Sequence, residues 1–235
     1  MYDVKGKVNQ ATVFAKHLDD ATLSQIESLC DQDVYADSKI RIMPDAHAGK
    51  GCTIGTTMTI KDRVAPSLVG VDLGCGLMCM IIKKKKEDVN FKQLDEVIRR
   101  YVPSGREVHR DPMYSALAWK EDLEQVYAPM NIDRALKSIG TLGGGNHFIE
   151  VNEYDEDHIA LVIHSGSRSF GASIAKHYQD IAYKRLTDQS DLRADTIMTL
   201  KFLGREHEIE SALKKIQPVK VNRDFVYVEG EDFNR

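Results

Sequence analysis

Apolar positions recur along the chain with two periods. In the stretch ATLSQIESLCDQ, which Asp20 precedes as a cap, Leu23, Ile26 and Leu29 fall three residues apart with Cys30 beside them, a spacing that predicts a helix with one buried face. FKQLDEVIRRYV at 91–102 repeats the pattern until Pro103 stops it, and Asn131 opens a shorter helix that Gly140 ends. Residues 172–189 form the longest helical stretch, and 206–216 form a last one before Pro218. Runs of β-branched and apolar residues bounded by turn formers predict strands at KIRIM, TIGTTMTI, LMCMII, HFIEV, IALVIHS and DFVYVEG. The order is mixed and does not repeat. It predicts an α+β fold: one domain over residues 1–235 with a mixed β-sheet core and flanking helices, rather than a doubly wound sheet. The sequence stops at VYVEGEDFNR, just after a strand-like segment, and reads as the N-terminal portion of a longer protein.

Composition narrows the function. With 42% hydrophobic residues in 235, the chain can fill one sizeable core or two small ones. Its longest apolar runs, LMCMII and IALVI, are too short to cross a bilayer, and MYDVKGKVNQ has no apolar signal region. A soluble, cytoplasmic protein without a membrane partner is expected. The 4 cysteines make no dense disulfide framework, which leaves a thiolate metal ligand open. Against 32 basic side chains stand 36 acidic ones, so contact with nucleic acid should be local and aimed at phosphates rather than carried by gross positive charge. The lysines at 83–86 read as a solvated strand end.

Chemistry concentrates in four glycine-rich segments. In LVGVDLGCGLMCMII a strand-like run meets Asp72 and Cys75, three residues apart among glycines that let the backbone turn tightly. Together they can point at one ion; alone, a turn-capping acid and a small apolar thiol explain them better. In GTLGGGNHFIEV three glycines expose N–H groups that can bend around an anion, with Asn146 and His147 following and Glu150 further on. A loop with a histidine satisfied by a carbonyl fits this segment equally well. IALVIHSGSRSFG ends an apolar strand in His164 and passes Ser165, Ser167 and Arg168 into a helix N-terminus, a place that favours phosphate. Helix capping explains the serines there but not the histidine. In IRIMPDAHAGKG, Asp45 and His47 sit in a loop between strands, where Asp45 can orient a ligand histidine from behind and Lys50 can meet a phosphate; turn chemistry explains the segment as readily. Taken together, Asp72, Cys75, His147 and His164 form a donor set suited to Mn, Zn, Co or Fe rather than Mg or Ca, beside two phosphate-friendly loops. Metal-assisted phosphoryl or nucleotidyl chemistry follows.

The blocks MPDAHAGKG, VGVDLGCG, GTLGGGNHFIEV and VIHSGSRSFG, in this order, closely resemble the signatures of the RtcB family of RNA-splicing and RNA-repair ligases. The resemblance implies an enzyme that uses GTP and Mn²⁺ to join RNA ends bearing a 3′-phosphate or 2′,3′-cyclic phosphate to a 5′-hydroxyl, through GMP carried on a histidine. Its RNA partners would be tRNA halves or damaged RNA. It further implies that Asp72, Cys75, His147 and His164 ligate two manganese ions, with Cys75 bridging. Asn146, His147, Phe148, Ile149 and Glu150 would contact GTP, Asn146 near the phosphates and Glu150 at the guanine edge. Arg168 would meet the RNA phosphate. The family's third metal histidine and its GMP-carrying histidine have no counterpart, since no histidine lies beyond His207. Taken as a whole polypeptide, the chain is therefore expected to bind metal in part and not to ligate; taken as a piece, its parent would be the ligase. A dinuclear metal phosphoesterase using the same ligands to activate water, and a non-catalytic metal- or nucleotide-binding remnant, are the competing readings.

Overall fold

The chain begins with a hairpin, β1 (Tyr2–Lys5) and β2 (Gln10–Val13), followed by helix α1 (Asp20–Cys30) and strands β3 (Ile40–Ala48) and β4 (Thr53–Met58). The structure, a computed structural model, describes residues 1–70 and 72–230. These four strands form one sheet in the order β1-β2-β3-β4, with β2 and β3 parallel and the other pairs antiparallel, so the sheet is mixed as expected. Helix α1 is capped by the Asp19 carboxylate, which accepts from the Thr22 N–H at 2.7 Å, one residue before the position the sequence pattern gives. Its buried face sets Ile26, Leu29 and Cys30 against Val13, Ile40 and Ile42. Each large aliphatic side chain buried there contributes about 1.5–3 kcal/mol, which places the main core under this helix.

Strand β5 (Arg63–Val64) and the short helix α2 (Pro66–Val69) follow. Then come β6 (Gly76–Lys83), α3 (Phe91–Tyr101), α4 (Lys120–Glu124), α5 (Ile132–Ser138), β7 (Phe148–Glu153), β8 (His158–Ser165) and the long α6 (Arg168–Thr187). The chain continues through α7 (Ser190–Phe202) and α8 (Ile209–Lys215) to β9 (Val228–Glu229), which pairs antiparallel with β5. By contacts the chain divides into two compact units: residues 1–69 with 178–235, and Gly70–His177, the boundary falling inside α6. The second unit is built on an antiparallel sheet in the order β6-β8-β7.

The α+β class and most predicted elements are found, but the strands are spread over three sheets rather than one. β1 and β2 escape the sequence pattern because each has only four residues and β1 buries Val4 alone. α7 escapes it because Leu200 is its single buried residue, which leaves no apolar face to read. DFVYVEG supplies a 3₁₀ turn at Arg223–Phe225 and only the two residues of β9. Among the described residues no helix is long and apolar enough to cross a membrane.

Candidate metal centre

The register of the β6-β8-β7 sheet brings three chain segments to one end. Gly76 pairs with Ser165, and Leu77 and Phe148 both pair with His164. The turn before β6 therefore ends beside the last residues of β8 and the first of β7, and Asp72, Cys75, His147 and His164 all stand on those ends. The Nε2 atom of His164 lies 3.3 Å from the Cys75 sulfur, and the Nε2 atom of His147 lies 2.8 Å from Asp72 Oδ2. Donor atoms of Cys75, His147 and His164 all fall within 4.8 Å of one another, and the two imidazoles meet edge to face with centroids 5.3 Å apart.

Each ring is fixed from behind by the main chain. His147 Nδ1 stands 2.9 Å from the Leu142 carbonyl, and His164 Nδ1 stands 3.0 Å from that of Gly76. A carbonyl only accepts, so in both rings Nδ1 carries the hydrogen and Nε2 presents a lone pair towards the cluster, the usual support of a metal-binding histidine. At His147, Nε2 faces a carboxylate oxygen while Nδ1 faces a carbonyl, and a single ring hydrogen serves only one of these two acceptors, so the second needs either another ring proton or a cation. A cation between Nε2 and Asp72 is one arrangement that satisfies both atoms. Burial, and after it the neighbouring Asp72 carboxylate, push the Cys75 thiol up, so without a cation the thiol keeps its proton more firmly than a free one. One carboxylate, one thiol and two imidazoles, already supported, fit a borderline-soft divalent ion.

Glycines make the room. A Cβ on Gly166 would strike both carboxylate oxygens of Asp72, and one on Gly143 would strike the Arg168 guanidinium and His147 Nδ1. Gly143 also has φ +94°, a conformation that other residues rarely adopt.

The family described as "tRNA-splicing ligase RtcB" matches this sequence over residues 30–131 and 118–209, well over half of the chain. The chain belongs to the RtcB family. It is 35% identical over 167 residues to the RNA-splicing ligase RtcB of Escherichia coli K12, covering 63% of this chain and 41% of the relative. To RtcB2 of another E. coli strain it is 28% identical over 191 residues (71% of this chain and 46% of that protein). To the tRNA-splicing ligase RtcB of Pyrobaculum aerophilum it is 27% identical over 228 residues (75% and 47%). The chain thus spans less than half the length of these curated relatives.

In this RtcB chain the remaining expected residues divide by sheet face. Phe148 and Glu150 stand on the His164 face of β7, the Phe148 ring 5.5 Å from the His164 ring, and Asn152 donates to Glu150 Oε1 at 3.0 Å. Ile149 faces the other way, and with Ile163, Leu142 and Phe170 it lines an apolar cavity of about 450 Å³ beneath the site. Asn146 is exposed. Arg168 opens α6 at φ +61°, the only described residue other than glycine with a left-handed backbone. It donates through Nη2 to the Gly105 carbonyl, and its Nε is buried without a hydrogen-bond partner. Asp45 and His47 belong to the first unit and lie within β3 rather than in a loop, at a register shift where His47 pairs with Ile54. His47 Nδ1 meets the main-chain carbonyl of Asp45 at 2.9 Å, not its carboxylate.

The supports that sequence reasoning missed are the carbonyls of Leu142, Gly76 and Gly105, which carry no side-chain signature; Ser167, read from the sequence as part of a phosphate-friendly turn, places its hydroxyl 3.4 Å from Asp72 Oδ1.

Proposed function

We propose that this chain carries the metal- and nucleotide-binding part of an RtcB-type RNA ligase, which joins RNA 3′-phosphate or 2′,3′-cyclic phosphate ends to 5′-hydroxyl ends using Mn²⁺ and GTP. The observation that carries this reading is the convergence of two main-chain-anchored Nε2 atoms on Cys75 and Asp72 at one sheet end. Asp72, Cys75, His147 and His164 would hold two manganese ions. When bound, the metal supplies Lewis-acid polarisation of phosphate oxygens and neutralises their charge. Cys75 gives up its proton as it becomes a ligand, so metal affinity rises with pH. Glu150, on the same face as His164, accepts hydrogen bonds from the N–H edge of guanine, which adenine does not offer in the same pattern. Phe148 lends a flat apolar surface, Asn146 a neutral donor near the nucleotide phosphates, and Arg168 a planar fork for the RNA phosphate. No residue of this chain is assigned the part of the histidine that carries GMP.

Calorimetry with Mn²⁺ tests the centre. Loss of an outer support costs a metal site about 10–100-fold, so Cys75→Ala, which removes a direct ligand, should weaken binding by at least about a hundredfold. Unchanged affinity removes Cys75 from the site. Glu150→Ala should weaken GTP more than ATP, and equal losses count against a guanine contact. Release of inorganic phosphate from 3′-phosphorylated RNA without GTP would replace the ligase with a phosphoesterase.

A further inference from the structure

Arg134 of α5 and Arg168 of α6 both reach the loop at 103–106, which the sequence motifs do not include and which carries a third arginine, Arg106. The segment Pro103-Ser104-Gly105 is clamped to the glycine loop that holds His147: Leu142 N–H donates to Pro103 O at 2.9 Å, and Gly105 N–H donates to Gly143 O at 2.8 Å. Two consecutive carbonyls of this clamped loop each take a guanidinium. Gly105 O accepts from Arg168, and Arg106 O accepts from Arg134 Nη2 at 2.9 Å. The two guanidinium groups are near enough for the charge of Arg134 to act on Arg168. The exposed Arg106 stands on the same turn.

Among the described residues neither Arg106 nor Arg134 forms an ion pair. Of the nearby acids, Asp72 acts on Arg168 but is engaged by His147 at 2.8 Å, Asp133 is held by Lys137 at 2.8 Å, and Glu107 is exposed. Burial holds the Arg168 guanidinium below its ordinary value; the Asp72 carboxylate works against that shift, and the charge of Arg134 adds to it. Guanidinium groups assembled without enough counter-charge favour an anion with several oxygens, and arginine's fork matches phosphate.

We propose that Arg106 and Arg134 form a second anion site next to Arg168, which receives the backbone phosphate of the nucleotide preceding the RNA end. This rests on the ligase reading, which puts the terminal phosphate at Arg168, and deepens it by giving the RNA strand a direction away from the metal.

Fluorescence anisotropy across a salt series tests it, using a short single-stranded RNA with a 3′-phosphate, its 3′-hydroxyl twin, and a nucleoside 3′-monophosphate. Arg106→Gln, whose side chain makes no contact that folding needs, should weaken the 3′-phosphate RNA about tenfold, as for one charge-assisted hydrogen bond. It should reduce the salt slope by about 0.7 and leave the mononucleotide unchanged. Arg134→Gln should behave alike, with Arg134→Lys restoring most of the slope. An unchanged slope in Arg106→Gln overturns the second site, as does equal weakening of the mononucleotide. A loss in Arg134→Gln that lysine does not restore makes Arg134 a loop brace and overturns its part. If the native chain binds the 3′-phosphate and 3′-hydroxyl RNAs equally, the RNA-end reading fails instead, and the salt slopes still decide the arginines.

Discussion

Gly166 shows how little side chain the centre tolerates. Its missing Cβ is the space that the Asp72 carboxylate occupies, while its backbone is not left-handed, so alanine fits the fold but not the site. Gly166→Ala should therefore lower Mn²⁺ affinity by about tenfold or more with a near-native melting temperature; unchanged affinity would separate Asp72 from the metal. Far from this chemistry, burial pushes the Tyr35 phenol up to about 12 from its ordinary 10. A raised pKa stabilises the fold fully below the unfolded value and loses that contribution as pH climbs from about 10 through about 12, because the unfolded chain ionises first. Tyr35→Phe should remove this alkaline loss, on the order of 2 kcal/mol, as read from denaturant midpoints across that range. Equal alkaline losses in both proteins would assign the effect to other groups.

At the scale of elements, β6 departs most from what its sequence implies. LMCMII is apolar at every position, the pattern of a strand covered on both faces. In the structure it is an edge strand, with Leu77, Met78 and Met80 exposed at 68%, 65% and 53%. Apolar edges recruit further strands, so the chain should self-associate through β6, and Met80→Lys should shift sedimentation towards the monomer without changing Mn²⁺ affinity. Helices with a clear apolar face, such as α1, were legible in the sequence, as were strands long enough to show their composition. Short strands and the weakly patterned α7 were not, because tertiary packing rather than local preference fixes them. Likewise α6 begins at Arg168, four residues before the pattern suggests.

For the molecule as a whole, four candidate donors scattered over nearly a hundred positions meet because antiparallel register carries them to one sheet end. All four lie in the unit Gly70–His177. Residue type and glycine context were enough to group the four as one candidate donor set; the pairing that brings them to one sheet end was not legible, since register is a property of paired strands. A ligand that binds only the folded state stabilises it by mass action, so Mn²⁺ at a hundred times its Kd should add about 2.7 kcal/mol. Followed by hydrogen exchange, the added protection should concentrate in β6, β7 and β8. Uniform protection, or none, would contradict a centre built on their ends.

The carbonyls behind the two imidazoles have a genetic consequence. Leu142 and Gly76 hold the rings through atoms that every residue type possesses, and a Cβ on Gly76 would meet nothing closer than Gly74 O at 3.9 Å. The support is thus invisible to codon change. A saturation library selected for metal retention should be sharply intolerant at Asp72, Cys75, His147 and His164, yet permissive at Leu142 and Gly76, although these two residues aim the histidines.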